Sequence, residues 1–230
     1  MLIPVRDENR RKTFPVITIL ILAINIAIFI YQIMHRDQMQ TMIYRFGLIP
    51  RQIVGFHEIS GLKPEFQSPI PGVLTLITSM FLHAGLFHLI GNMLYLGIFG
   101  DNVEALTGHF RFIWFYLLCG ITASLTHVAF SPDSITPMIG ASGAVSGILG
   151  AYFIRFPRAR IHLLFLFIII VRIPAWIILG VWFIMQVFNG WVNQGSEGEG
   201  VAWFAHIGGF LAGILFILLF EKKRKILKLK

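Results

Sequence analysis

The sequence predicts an all-α polytopic membrane protein with six transmembrane helices, and three observations carry that prediction. Apolar residues make up 56% of the 230-residue chain and charged residues only 13%, with a mean hydropathy of +0.76, a balance that a soluble domain does not have. Apolar runs recur at about 14–34, 76–99, 112–130, 139–154, 173–189 and 201–220, separated by polar or Gly/Pro-rich breaks. Most approach the roughly 20 residues needed to cross about 30 Å of hydrocarbon. The basic residues then gather on one side. With the N-terminus cytoplasmic, Arg6, Arg10, Arg11, Lys12, Arg111, Arg155, Arg158, Arg160, Arg172 and the six of 222–230 place 15 of the 19 Lys and Arg in inner segments. The outer loops 131–138 and 190–200 carry none.

Taken in order, residues 1–13 are a cytoplasmic N-terminal segment, 14–220 the membrane domain and 221–230 a basic cytoplasmic tail. The first run is longer than the usual signal-peptide core of about 7 to 15 residues and no small-residue cleavage site follows it, so it is expected to stay as an anchor. Residues 35–72, broken by Pro50, Pro64, Pro69 and Pro71, form a long first outer loop with short interfacial helices around 44–54. Residues 161–171 lie between Arg160 and Arg172. As a helix they would reach only about 16 Å, too short to span, so they belong at the cytoplasmic interface. The fourth run corresponds to roughly 24 Å of helix and is expected to begin below the outer surface, with Ser142 at the bottom of a water-accessible dip.

Several function classes drop out. The net charge of +8 resides at segment ends, with no aromatic-interleaved basic face, so nucleic acid is not a partner. Cys119 is the single cysteine, which excludes an internal disulfide and leaves no cysteine cluster for zinc; it reads as a packing residue. A zinc protease would need His-Glu-x-x-His, whereas His83 and His88 are five apart with no Glu between them. A soluble α/β-hydrolase would need Gly-x-Ser-x-Gly, and position 144 is Ala. No metal and no cofactor is expected.

Polar groups inside apolar runs are costly, and their default reading is functional. His83, His88 and Asn92 fall in the second run, Ser142 in the fourth and His206 in the sixth. All three runs lead inward from the outer face, so these groups reach a similar depth. A serine hydroxyl becomes a nucleophile when an adjacent histidine takes its proton. Gly143 and Gly147, with Gly209 and Gly213, give the fourth and sixth helices small-xxx-small faces, close enough for Ser142 to reach His206. His88 and Asn92, with the Ser142 amide, are suitable donors for a developing oxyanion.

These residues resemble a known family, the rhomboid intramembrane serine proteases of the six-helix bacterial type, over roughly residues 13–220. The resemblance rests on His83-x4-His88-x3-Asn92, on Gly140-Ala141-Ser142-Gly143 and on Ala205-His206-x2-Gly209-x3-Gly213, in the family's order. It implies Ser142 as nucleophile, His206 as general base, His88 and Asn92 as oxyanion stabilisers, and no acidic third member. It also implies single-span or polytopic membrane proteins as substrates, and a bacterial inner membrane with the site open to the extracytoplasmic side. The segment from Gly100 through Glu104 to Arg111, read as the connection between the second and third helices, is similar too. Two positions depart from the pattern. The Trp-Arg of some members' first loop is Tyr44-Arg45 here, and the aromatic that some place four residues after the nucleophile is Ser146.

Ser146 reads as bonding back to its own helix, and His83 as a supporting residue near the cavity rim. His35, His57, His109, His127 and His162 receive no role, and Arg111 is expected to snorkel at the inner interface. The alternative is a catalytically silent rhomboid-like binder or chaperone of transmembrane helices, with a transporter third. The physiological substrate and the oligomeric state are not legible in the sequence.

Overall fold

The computed structural model describes residues 2–9, 13–55, 62–165, 168–193 and 201–222. In chain order its elements are β1 (Leu2–Asp7), α1 (Val16–Met34), α2 (Met39–Phe46), α3 (Pro50–Gly55), α4 (Thr75–Thr78), α5 (Leu86–Thr107), α6 (His109–Phe130), α7 (Ser142–Arg155), β2 (Arg160–Phe165), β3 (Ile169–Pro174), α8 (Ala175–Val192) and α9 (Trp203–Phe220). The helices α1, α6, α8 and α9 are each long and apolar enough to cross a membrane, and residues 72–81 with α5 form a bent pair that makes a fifth candidate span. The helix α7 is not among these candidates: it has 14 residues, and at 1.5 Å per residue reaches about 21 Å. The architecture is that of a helical, polytopic integral membrane protein.

The short helix α7 is the centre of the bundle. Every residue from Gly143 to Tyr152 is buried, against α5, α6, α8 and α9. Its closest neighbour is α9, and the glycines explain why. A Cβ added at Gly209 would land on the carbonyl oxygen of Gly143, one at Gly213 on that of Gly147, and one at Gly150 on that of Phe210. On the other flank, Gly143 lies against Ala123 and Gly147 against Cys119, which is buried and free as a packing residue should be. Small residues let backbones meet where lipid supplies no hydrophobic push between helices.

The second apolar run is not one helix from 76 to 99. It breaks at residues 82–85, with an 83° bend between 72–81 and α5. The break is stabilised from α1, where the Gln32 side chain accepts from the His83 amide at 3.1 Å and donates to the His83 carbonyl at 3.2 Å. Backbone groups freed at membrane depth need such partners. His83 therefore precedes α5 rather than riding on it. At the other end α5 runs on to Thr107, so Asp101 and Glu104 lie in the helix and not in a connection. Gly108, at φ +82°, turns the chain directly into α6, a conformation open to glycine.

That end of the bundle is closed by buried polar contacts. The Glu104 carboxylate accepts from the amides of Ile17 and Thr18 at 2.9 and 2.8 Å and from the Thr18 hydroxyl at 2.6 Å, capping the first turn of α1. Asp7 accepts from the Tyr152 hydroxyl at 2.6 Å and from Asn102 at 2.9 Å, tying β1 to α7 and α5. Burial holds the Asp7 carboxyl above the usual carboxylate range. The described residues of 161–171 form strands rather than a helix. Strand β2 pairs antiparallel with β1 on one side and β3 on the other, so the otherwise all-α fold carries a three-stranded sheet. Ile161 and Leu163 turn inward and are buried. The same end collects the Arg155–Glu221 ion pair and the bond from the Lys222 amide to Leu106.

The first loop folds as α2, α3 and short turns, with Tyr44 stacked on Phe66 at 4.6 Å and Ser68 bonded to the Arg45 carbonyl. His57 and residues 223–230 of the basic tail lie outside the described residues.

The glycine seam gives a paired expectation. Gly213→Ala should cost about 3 kcal/mol of stability and lower the thermal midpoint in detergent strongly, because its methyl meets backbone rather than a movable side chain. Gly97→Ala meets nothing within 4 Å and should hold or raise the midpoint, helix propensity contributing up to about 1 kcal/mol of stability. Equal effects in differential scanning fluorimetry would contradict the seam.

Candidate active site

Ser142 is the first residue of α7, and His206 lies in the first turn of α9. The glycine seam holds these two helices parallel, with Gly143 beside Gly209 and Gly147 beside Gly213, and so brings their starts together. The Ser142 hydroxyl and His206 Nε2 are 2.9 Å apart. The other ring nitrogen, Nδ1, is 2.8 Å from Oε1 of Gln186 on α8. Trp182 and Trp203 flank the imidazole, with ring centroids at 6.0 and 6.4 Å. The hydroxyl of Ser146 donates to the Ser142 carbonyl at 2.7 Å, within its own helix.

The chain reaches Ser142 through Gly140, whose φ is +119° and whose amide donates to the Ser79 carbonyl at 2.9 Å. A Cβ at Gly140 would lie 2.7 Å from Nε2 of His88 and 3.8 Å from Nδ2 of Asn92. Both side chains therefore face the segment just before Ser142. The Ala84 amide donates to His88 Nδ1 at 3.4 Å, which leaves the proton of a neutral ring on Nε2, the atom next to Gly140. Asn92 donates one N–H to the His88 carbonyl at 3.0 Å and has a second to give. Ser142 opens α7, where the first amides of a helix have no acceptor within it; the Val145 amide is taken by the Ala141 carbonyl at 2.9 Å. Chemically this is a hydroxyl beside a base, facing a cluster of N–H donors. A narrow cavity of about 10 Å³ adjoins Ser142, lined among others by Met80, Gly120, Ala123 and Ser124.

His83 stands behind this group. It is buried, with its ring packed edge-on against Phe29 and His88, at centroid distances of 6.5 and 5.1 Å. Gln186 is the residue that reading the sequence missed. A lone Gln in an apolar run is as anomalous at membrane depth as a His, and that was the available signal. Among the described residues, no group of three or more His, Cys, Asp or Glu is placed to hold a metal ion.

Comparison with known proteins shows the family. The family profile of the rhomboid domain matches residues 71–223. The chain is 35% identical to RHOMBOID-like protein 6, mitochondrial, of Arabidopsis thaliana over 64% of its own length and 44% of that protein's. It is 31% identical to Rhomboid protein 1, mitochondrial, of Saccharomyces cerevisiae over 62% of its length and 40% of that protein's. It is 46% identical to Rhomboid protease GluP of Bacillus subtilis over 33% of its length and 14% of that protein's. The chain thus matches less than half the length of each of these relatives.

Two substitutions test the local framework. Gly140→Ala should lower the thermal midpoint, since a positive φ costs an L-residue about 1–2 kcal/mol and the new methyl presses on His88. Ser146→Ala removes only a bond to its own helix and should stay within about 0.5 kcal/mol of the parent in the same melt.

Proposed function

The chain belongs to the rhomboid family, and on that premise we propose that it is an intramembrane serine endopeptidase cleaving transmembrane helices near the outer membrane boundary. The observation that carries the proposal is the 2.9 Å contact between the Ser142 hydroxyl and His206 Nε2. In this reading His206 takes the serine proton as Oγ attacks the peptide carbonyl. The oxyanion receives hydrogen bonds from His88, Asn92 and the Ser142 amide. The protonated imidazole then gives its proton to the amine as the C–N bond breaks, leaving an ester on Ser142, and water that gives a proton to the same base attacks that ester to free the acid and the serine hydroxyl.

The proposed orientation sets the end bearing the sheet, Arg155, Arg158 and Arg160 in the cytoplasm, in a bacterial inner membrane, with Ser142 toward the outside. Both chain termini are then cytoplasmic. A helical substrate hides its carbonyls in its own hydrogen bonds and must unwind to be cut, which favours Gly, Ser or Ala at the site. The small cavity beside Ser142 suits the same residues. Substrate is proposed to arrive sideways from lipid between α5 and α8, two helices that make no extended contact. The aromatic residues of α8 do not form one outward face. Trp182 and Phe183 pack on Phe210, while Trp176 and Phe188 are exposed. A lid role for residues 195–200 falls outside the described residues.

Purified protein incubated with a panel of single-span proteins should produce cuts near the outer end of their helices, with Ser142→Ala and His206→Ala inactive and Ser146→Ala active. Asn92→Ala should lower turnover about 10- to 1,000-fold without comparable loss of binding, as for one oxyanion donor. Absence of both cleavage and labelling by a serine-reactive fluorophosphonate would favour a silent binder of transmembrane helices instead. Crosslinking α5 to α8 through engineered cysteines should block cleavage of a membrane substrate more than that of a short soluble peptide. Equal loss of both would contradict lateral access.

A further inference from the structure

The proposed reaction draws its side chains from α5, α7 and α9 and gives α8 no chemical part. Yet α8 places one polar side chain, Gln186, against the catalytic pair. Gln186 is buried, sits in an otherwise apolar stretch of the helix, and its Oε1 is 2.8 Å from His206 Nδ1. Its amide is oriented by a second contact, in which Nε2 donates to the Trp182 carbonyl at 3.4 Å. A carbonyl only accepts, so Nε2 belongs on that side and Oε1 on the side of the imidazole.

We infer that Gln186 is the positioning residue of His206, an amide on α8 that holds the imidazole in the tautomer the reaction needs. The inference rests on the proposed function and adds a residue to it. An amide oxygen facing Nδ1 requires Nδ1 to carry the proton, which leaves the Nε2 lone pair for the Ser142 hydroxyl 2.9 Å away. The same oxygen accepts from the imidazolium, so the ring is held before and after proton transfer. Among the described residues, no carboxylate bonds to this ring, and Ser146 occupies the position one turn after Ser142 without reaching it. A neutral amide does the orienting without setting a carboxylate at membrane depth, where an ionised group is costly. Trp182 and Trp203 limit the ring's tilt, but neither offers Nδ1 an acceptor. Because Gln186 belongs to the helix proposed to flank the access route, the orientation of the base depends on where α8 stands.

The test compares Gln186→Leu and Gln186→Glu with the parent protein. Leucine has similar bulk and no acceptor, so kcat should fall about 10- to 100-fold, part of what a positioned base contributes, while KM stays within about twofold. Glutamate keeps an acceptor and adds a charge that favours the imidazolium. Its activity should be largely retained at alkaline pH, with the acidic limb of the kcat/KM profile moved to higher pH. The titratable groups around His206 that also enter this profile are His88 on α5 and His127 on α6. A merely structural Gln186 would move neither the profile nor the tautomer. Nitrogen-15 spectra of histidine-labelled protein should show His206 protonated at Nδ1 in the parent and in Gln186→Glu, and shifted toward the other tautomer in Gln186→Leu. This reading is independent of turnover, so an inactive parent would overturn the protease proposal alone. His206 protonated at Nε2 in the parent, or a folded Gln186→Leu with parental kcat and pH profile, would overturn the role of Gln186.

Discussion

The close approach of α7 and α9 is the constraint on which the rest of the structure depends. In a bilayer, lipid tails solvate apolar side chains as well as another helix does, so packing and buried polar contacts must hold helices together. Here Gly143, Gly147, Gly209 and Gly213 keep side chains out of the points of closest approach, and carbonyls of α7 occupy the space a Cβ on α9 would take. Ser142 and His206 lie one and three residues before glycines of that seam. The seam therefore sets both the distance and the register of the pair. It also explains how a helix of 14 residues is tolerated, since α7 is surrounded by protein and never has to satisfy the full thickness of the membrane alone.

Uncharged and charged polar residues in the apolar helices share one chemical problem and solve it in different ways. Asn25 donates to the carbonyl of Ile21 in its own helix. Gln32 stitches the broken backbone at His83, Glu104 caps α1, and Gln186 faces His206. The solutions differ in use: one is local, two are architectural, and one touches the candidate site. Residue type does not separate them, because the partner of each of the last three comes from another element of the fold.

That is also where sequence reading reached its limit. The polytopic helical class followed from composition and from recurrent apolar runs, and the glycine spacing of 143/147 and 209/213 was visible as a periodicity. That Ser142, His206, His88 and Asn92 reach a similar depth was read from their places in those runs, and the pairing of Ser142 with His206 from the glycine faces. The bend at residues 82–85 was hidden, because Leu82, His83 and Ala84 do not interrupt an apolar window and the side chain that stabilises the break lies 51 residues away. The hairpin at 160–174 was ambiguous between a short helix and strands by length. Its β-branched content, Ile168, Ile169, Ile170, Val171 and Ile173, was the arbiter that length alone did not supply.

The sheet also dictates an order of events during synthesis. Strand β1 is made before β2, its one strand partner among the described residues, with Leu2 opposite Phe165 and Asp7 opposite Ile161. The hydroxyl that Asp7 accepts from belongs to Tyr152. Until the ribosome has delivered those residues, β1 has no ladder to join and Asp7 no hydroxyl to meet. A contact of such high sequence separation forms late and slowly compared with helix insertion. The first helix is therefore made before the strand and the hydroxyl that hold its leading strand.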